Sequence, residues 1–447
     1  MARYFRRFTA RGKRGVLILK SYLVLLIEKI SSYPYGYSYC KTEKEKLPLL
    51  TQHKKLEKSE LVTEITTDTI PFRLSQSGHI IIDVTVGDNP GSYPFILDSG
   101  ASNMIFRNEP EFNFDREGWG FGIGSKGDFF ISPILKIEKL GINGLIFKNS
   151  YANGSDFDFD CMQHIYGIIG IGVMRNLIWQ FDFQKKIIVV SNTLEDLLLR
   201  EESVNIPLSE NRFSHHLKAT IELKSIKEKM EVLVDLGSNS ALSINESELL
   251  NPSFTFPSKK INGTGSEGLG DDDSRRSDEK FYLLPSLGFG QSDLELTNVP
   301  AFARPAGPNL LGIGFFNRYR TTISWKDRLL ILEPQDPAPD FGWNTAGFAA
   351  QFRKSLNKVV VTAVTEDSPA SKENLPLGGE IVAINNIDFT EKGAHCSFDY
   401  RNGSDTLAVS IRSNGLIREY YLIKEPVFEV ETSTVTTSAD ASETNIY

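Results

Sequence analysis

The chain has 447 residues, of which 40% are hydrophobic and 24% are charged, as is typical of a folded protein with a substantial core. Its formal net charge of −8 and isoelectric point near 5.5 argue against nucleic acid as a partner, because phosphate binding needs a basic surface. The three cysteines, Cys40, Cys161 and Cys396, are too few and too scattered to predict a disulfide framework, and no histidine has metal-ligand spacing with them.

The first 27 residues contain seven basic residues and no acidic residue, and they end in the apolar run VLILKSYLVLLI at 16–27. This pattern resembles the charged and apolar regions of an export signal, but Lys20 interrupts the run and no small-residue cleavage site follows. The run is short for a membrane span. Export or membrane tethering is favoured over a cytoplasmic location, and a basic amphipathic helix or a mis-assigned start is the alternative.

Lys and Glu dominate residues 41–66, so residues 1–66 are predicted to be a basic and apolar N-terminal segment followed by a solvated linker. The Ser/Thr-rich tail at 428–447 is predicted to be disordered. Between them, short runs such as HIIIDVTVG, KIIVVS and RLLILE are rich in β-branched residues and are separated by turn residues. These runs predict a mainly β fold.

An internal repeat organises the β-rich region. The stretch at 168–190 (IIGIGVMRNLIWQFDFQKKIIVV) matches the stretch at 310–332 (LLGIGFFNRYRTTISWKDRLLIL) in its order of apolar, glycine and aromatic residues. Upstream, FILDSGAS and VLVDLGSNS place Asp98 and Asp235 at equivalent points, each after an apolar strand. The repeat predicts two duplicated β-lobes at 67–200 and 201–335.

The two aspartates could act together in acid–base chemistry if their loops meet. Gly100 and Gly237 have no Cβ, so backbone N–H groups can approach each carboxylate. Two carboxyl groups side by side share one proton over a wide pH range and titrate as a unit. The ionised group can then activate a water molecule as a general base while its protonated partner polarises a carbonyl.

FILDSGAS resembles the signature of aspartic proteases, and Ile168-Ile169-Gly170 resembles its companion element. The chain therefore resembles two retropepsin-like lobes in one chain. This resemblance implies that Asp98 and Asp235 are catalytic and that Ser99 links the two aspartate loops. It also implies substrate-covering flaps at the glycine-rich segments 118–128 and 263–273.

The second motif departs from the family pattern. It reads Asp235-Leu236-Gly237, with leucine where the family has threonine or serine. Leucine has no polar atom to complete a second cross-loop hydrogen bond, and one such bond contributes about 1 kcal/mol. The departure leaves two hypotheses open, a working dyad supported by Ser99 alone or a protease-like scaffold that has lost activity.

After the Pro-rich stretch QDPAPDFG, residues 343–427 are predicted to form a separate α+β domain. The stretch DSPASKENLPLGGEIVAINNIDF resembles a PDZ domain, although Gly379 and Asn386 depart from its pattern. The matching positions are Ser368, Pro369, Ala370, Gly378 and Ile381. The resemblance implies that Gly347 and Phe348 form a carboxylate-binding loop and that a peptide adds as a strand beside it. A β-rich module without peptide affinity is the alternative.

Together these features predict a bacterial-type aspartic endopeptidase with a C-terminal PDZ-like domain that recruits or gates substrate. Its expected substrate is a peptide or an unfolded protein, and a C-terminal peptide is a possible ligand of the PDZ groove. No metal or organic cofactor is expected, and no homodimer is needed because both aspartates lie in one chain. Rival hypotheses are the inactive peptide-binding scaffold and a tethered structural protein.

Overall fold

The computed structural model describes residues 52–429 except 107–111, 113, 124–128, 156–160, 162–163, 212–213, 251–253, 265–277, 336–343, 354–355, 392 and 398–403. The N-terminal basic and apolar run and most of the predicted tail lie outside these residues. The described chain is mainly β, which confirms the predicted fold class. In the part of the chain that the structure describes, no helix combines the length and hydrophobicity needed to cross a bilayer.

The first lobe begins with a 3₁₀ helix, Lys54–Glu57, and includes a short helix, Ile171–Met174. Its strands are β1 (Glu60–Leu61), β2 (Thr67–Pro71), β3 (Arg73–Leu74), β4 (Ile80–Val86), β5 (Ser92–Leu97), β6 (Met104–Ile105), β7 (Asp115–Ile123), β8 (Phe129–Ile142), β9 (Leu145–Gly154), β10 (Gly167–Ile169), β11 (Ile178–Asp182) and β12 (Ile187–Ser191).

The second lobe contains a 3₁₀ helix, Glu246–Glu248, and a short helix, Ile313–Phe316. Its strands are β13 (Val204–Glu210), β14 (Leu217–Leu223), β15 (Glu228–Val234), β16 (Leu242–Asn245), β17 (Ser258–Gly263), β18 (Lys280–Phe289), β19 (Glu295–Arg304), β20 (Leu310–Leu311), β21 (Tyr319–Ser324) and β22 (Leu329–Pro334).

The two lobes have the same order of strand pairings. In the first lobe, β10 pairs in parallel with β5 and antiparallel with β6, and β6 pairs in parallel with β9. In the second lobe, β20 pairs in parallel with β15 and antiparallel with β16, and β16 pairs in parallel with β19. Asn149 in β9 and Asn298 in β19 both adopt the left-handed conformation, at φ 52° and 53°. The predicted architecture of two similar β-lobes is therefore present.

A shared sheet joins the lobes, in the strand order β2-β12-β11-β21-β22-β13. At its centre, Gln180 of β11 donates hydrogen bonds to Thr322 (3.1 Å) and Glu333 (3.2 Å) of the second lobe. The Glu333 carboxylate is fully buried and forms an ion pair with Arg320. This continuous sheet fixes the position of one lobe relative to the other.

The prediction of a solvated linker up to residue 66 is wrong for residues 52–61. Leu56, in the 3₁₀ helix, is only 1% exposed, and β1 pairs with β9. Lys55 forms an ion pair of 2.7 Å with Glu117 of β7. A single buried leucine among Lys and Glu residues does not produce a periodic apolar pattern. The sequence therefore did not indicate that this segment packs on the first lobe.

The C-terminal unit, residues 344–429 as described, has its own apolar core, which includes Val359, Val361, Ile381, Ile411 and Leu422. It contains a short helix, Pro369–Lys372, and a 3₁₀ helix, Ala394–Ser397. Its strands are β23 (Asn344–Thr345), β24 (Phe348–Arg353), β25 (Lys358–Thr365), β26 (Glu380–Ile384), β27 (Ile387–Asp388), β28 (Thr406–Ser413), β29 (Leu416–Ile423) and β30 (Glu425–Pro426).

Candidate active site

Two buried strands carry the two aspartates to one place between the lobes. β5 ends at Leu97, and the backbone N–H of Asp98 then donates to the carbonyl of Ile169 (2.9 Å). β15 ends at Val234, and the N–H of Asp235 donates in the same way to Leu311 (2.9 Å). Because β10 and β20 run parallel to these strands, each aspartate leaves its sheet beside the end of a partner strand.

The glycine of each loop makes room for the carboxyl group of the other loop. A Cβ atom at Gly100 would collide with the carboxyl group of Asp235, and a Cβ atom at Gly237 would collide with that of Asp98. Each glycine N–H also donates to the aspartate of its own loop, from Gly100 to Asp98 (2.7 Å) and from Gly237 to Asp235 (2.8 Å). Glycine at both positions therefore lets the two acids sit face to face.

The two carboxyl groups form one titrating pair. Asp98 is 7% exposed and Asp235 is 8% exposed, and their side chains are hydrogen-bonded to each other. Burial, followed by the negative charge of Asp235, holds the pKa of Asp98 well above its ordinary value. Burial also raises the pKa of Asp235, but the bond from Asp98 and the positive charge of Arg304 oppose that rise. Burial thus raises the pKa of both acids, and the two carboxyl groups titrate as a pair that holds one proton over a wide pH range.

Ser99 links the two loops. Its hydroxyl donates to the carbonyl of Val234 (2.7 Å) and accepts from the N–H of Leu236 (2.9 Å). Leu236 has no polar side-chain atom, and its side chain is fully buried in the apolar core. The side chain of Ser99 in the first loop therefore bonds to the backbone of the second loop, and Leu236 takes part only through its backbone N–H.

The dyad lines a cavity of about 2360 Å³, and two of the histidines that also line it, His53 and His216, have strongly shifted pKa values. His53 stacks on Phe121 of β7, with ring centroids 4.0 Å apart. His216 lies against the backbone of Gly100, next to Asp98, and burial lowers the pKa of each histidine to about 4. Neither histidine lies in a recognisable motif, so only the folded chain identifies them as residues of the cavity that contains the dyad.

The predicted flap segments are described in part. Residues 118–123 belong to β7, which forms a hairpin with β8, and Gly263 ends β17. Residues 124–128 and 265–273, the remainder of both glycine-rich segments apart from Thr264, lie outside the described residues. The hairpin of the first lobe brings Phe121 and Gly122 into the cavity that contains the dyad.

In the predicted carboxylate-binding pair, Phe348 is the first residue of β24 and Gly347 immediately precedes it. Gly347 has φ 81°, and a Cβ atom there would collide with the side chain of Ser368. The Gly347 N–H already donates to the Thr345 hydroxyl (3.0 Å), and its carbonyl accepts from Thr365 (2.8 Å). The Gly347 amide is thus occupied within the domain, which disfavours it as a donor to a peptide carboxylate.

The three cysteines did not predict a disulfide framework, but the structure contains one disulfide. Cys161 and Cys396, 235 positions apart in the chain, form a disulfide with a Cα–Cα distance of 4.9 Å. Cys161 belongs to the connection between β9 and β10, whereas Cys396 belongs to the C-terminal unit. Sequence spacing could not predict this pair, because its proximity depends on how the C-terminal unit packs on the first lobe.

Comparisons with known proteins add little to this geometry. No family model matches the sequence. No curated protein matches it either. Among solved structures, an aspartic proteinase from Irpex lacteus is similar with a TM-score of 0.39 and 12% identity, over 60% of this chain and 98% of that chain. A likeness this distant carries no conclusion, so the interpretation of the site depends on the chain's own strand order and side chains.

Proposed function

We propose that this protein is an aspartic endopeptidase in which Asp98 and Asp235 activate a water molecule to hydrolyse peptide bonds. The observation that carries the proposal is the buried, hydrogen-bonded pair of carboxyl groups, delivered by corresponding loops of two similar lobes into one cavity. Buried acids that share a proton are arranged to act as acid and base at once.

The surroundings of the two carboxyl groups support one assignment of roles. In this assignment Asp235, whose charged form is favoured by the positive charge of Arg304, takes a proton from the attacking water as general base. Asp98, whose pKa is raised, donates its proton to the carbonyl oxygen of the peptide bond. The C–N bond of the tetrahedral intermediate then breaks, and the proton that Asp235 took from water passes to the departing amine. This scheme forms no covalent bond between enzyme and substrate.

The size of the cavity supports a polypeptide substrate. Its volume of about 2360 Å³ exceeds the roughly 300–1,000 Å³ of sites that hold small molecules. Residues of both lobes and of the C-terminal unit line it, among them Ala350, Gln351 and Phe352 of β24. We infer that the C-terminal unit contacts or gates the substrate chain rather than serving only as a remote accessory.

The full chain should be incubated with a library of denatured peptides between about pH 3 and pH 8, with cleavage sites mapped by mass spectrometry. Asp98→Asn and Asp235→Asn should each lower the rate on the order of 10²–10⁴-fold, the usual contribution of an acid–base group. Asp88→Asn, at an exposed position, is the matched control and should cleave like the wild type. Undiminished cleavage by Asp98→Asn would end the proposal.

A second candidate, a peptide-binding scaffold without activity, is favoured by Leu236 alone. Leu236→Thr separates the two because threonine could supply a second cross-loop bond. If the wild type is an enzyme, the rate should change by less than about tenfold, since one bond of about 1 kcal/mol is at stake. An inactive wild type that gains cleavage with Leu236→Thr would favour the scaffold.

A further inference from the structure

The C-terminal unit is attached to the second lobe by strand pairing. β17 of the lobe pairs antiparallel with β25 of the unit, so Ile261–Gly263 lies opposite Ala363–Thr365. Backbone bonds from Thr264 to Thr362 (2.9 Å) and from Glu366 to Lys260 (2.8 Å) extend this contact. The sheet of the C-terminal unit is thereby continued by a hairpin strand of the lobe that supplies Asp235.

The same unit is attached covalently to the first lobe. The Cys161–Cys396 disulfide links the β9–β10 connection to the 3₁₀ helix Ala394–Ser397. The neighbouring ring of His395 stacks on Phe352 of β24, with ring centroids 5.4 Å apart. The disulfide therefore fixes both this helix and, through the stacked rings, the end of β24 relative to the lobe that supplies Asp98.

These two attachments frame the candidate active site. Both cysteines and Phe352 line the same cavity as Asp98 and Asp235. The first lobe, the interlobe sheet, the second lobe and the C-terminal unit thus form a ring around the dyad, and the disulfide closes it. A flexible chain can enter such a ring as one extended strand, whereas a loop of a folded protein must enter as two strands and needs a wider opening.

We propose that the Cys161–Cys396 disulfide is a redox latch that restricts the dyad to flexible polypeptide chains, an inference that rests on the proposed protease function. A dithiol reductant opens the latch by transferring two electrons and two protons, which yields two cysteine thiols while the reductant becomes a disulfide. The β17–β25 pairing then still holds the unit on the second lobe. The unit is released from the first lobe, and the cavity accepts loops of folded proteins.

The test compares kcat/KM for one cleavable sequence presented in two ways. The sequence is offered as a free linear peptide and as a surface loop inserted in a stable carrier protein. Oxidised wild type should cleave the linear peptide and spare the loop. Cys161→Ser, Cys396→Ser, or wild type treated with dithiothreitol should raise the loop-to-linear ratio of kcat/KM by about tenfold or more. Cys40→Ser, which removes the third cysteine, should match the wild type. An unchanged ratio in both serine variants and after reduction overturns the latch.

A second measurement is independent of catalysis. Hydrogen exchange of the Asp98→Asn/Asp235→Asn protein should be compared with and without the additional Cys161→Ser change. Amides of β24 and of the 394–397 helix should exchange faster without the disulfide, while β11 and β21 of the interlobe sheet stay protected. If this change appears but no protein cleaves peptide, the protease proposal fails and the substrate restriction is overturned with it, while the hold of the disulfide on the C-terminal unit stands. If exchange and the loop-to-linear ratio both stay constant, the latch fails while the protease proposal stands.

Two further outcomes are decisive. Peptide mapping of protein purified without reductant should recover Cys161 and Cys396 in one disulfide-linked fragment, and recovery of both as free thiols overturns the proposal. Should Cys161→Ser also expose β11 and β21, the variant has unfolded. Reduction of folded wild type then takes its place, and exchange in β24 that is insensitive to dithiothreitol overturns the latch.

Discussion

The hydroxyl of Ser99 accepts a hydrogen bond of 2.9 Å from the backbone N–H of Leu236 and donates one of 2.7 Å to the carbonyl of Val234. One buried side chain in the first lobe therefore satisfies two backbone groups in the second. Since Leu236 cannot return the bond with its side chain, Ser99 has no counterpart at the equivalent position. The alignment of the two aspartates depends on this one hydroxyl more than it would in a symmetric pair.

Ser99→Ala should therefore lower both stability and activity. It leaves a buried N–H and a buried carbonyl without their partner, at a cost of about 1–3 kcal/mol. We expect kcat to fall more than KM rises, because the change alters the position of the aspartates rather than the peptide-binding surface. Urea unfolding and steady-state kinetics measure both effects. Ser209→Ala, at an exposed position, is the control, and a Ser99→Ala protein as stable as that control would contradict the prediction.

Asp98→Asn should stabilise the protein at neutral pH. The folded-state pKa of Asp98 is raised above its ordinary value of 3.8, so its contribution favours folding below that value and is lost as pH rises toward the folded pKa. Asparagine has no carboxyl group, so folding no longer has to suppress an ionisation that the unfolded chain undergoes at pH 7. We expect a higher Tm than wild type at pH 7 and a gain that shrinks below about pH 4.

Differential scanning calorimetry across that pH range tests this expectation, with Asp88→Asn as the exposed control. The opposite pattern, a Tm gain that appears only in acid, would show that Asp98 is held ionised. In that case the assignment of acid and base within the dyad would have to be reversed or abandoned.

His216→Gln should make the fold more tolerant of acid. Burial lowers the pKa of His216 from 6.5 to about 4, and the positive charges of His215, His53 and Lys218 act in the same direction. Because the folded pKa lies below the unfolded value, stability is present above about pH 6.5 and is lost as pH falls through about 4. The variant should retain on the order of 1–3 kcal/mol more of its stability over that interval.

The measurement is urea unfolding at several pH values from about 7 to 4, with stability at each pH referred to the value at neutral pH. His164→Gln removes an exposed histidine and should follow the wild-type curve. Parallel curves for wild type and His216→Gln would mean that the ring of His216 protonates without a desolvation cost.

Glu333→Ala should weaken the sheet that joins the lobes. The fully buried carboxylate accepts from Arg320, from Gln180 (3.2 Å) and from the N–H of Arg200 (2.9 Å). Removing one member of a buried ion pair typically costs about 3–5 kcal/mol, because the remaining charge is left uncompensated. Glu425→Ala, which breaks an exposed pair, should cost less than about 1 kcal/mol. Equal losses of Tm in the two variants would contradict this role for Glu333.

Much of the fold could be predicted from local pattern. Short runs rich in β-branched residues predicted strands, and two Asp-x-Gly loops at matching points of a repeat predicted two similar lobes. The pairing of β10 with β5 and of β20 with β15 agrees with that arrangement, and the apolar residues before each aspartate are buried. These patterns can be read from the sequence because a buried strand requires apolar side chains at neighbouring positions of the chain.

Other features depend on contacts between distant residues and leave no local pattern. The Cys161–Cys396 disulfide, the position of His216 beside Gly100 and the packing of Leu56 each arise from how separate segments dock. The Gly347 motif predicted a carboxylate-binding loop, but the fold directs its amide to Thr345. The sequence by itself determined which residues could form the dyad. Only tertiary structure decided their environment, because burial and charge depend on what lies nearby in space rather than along the chain.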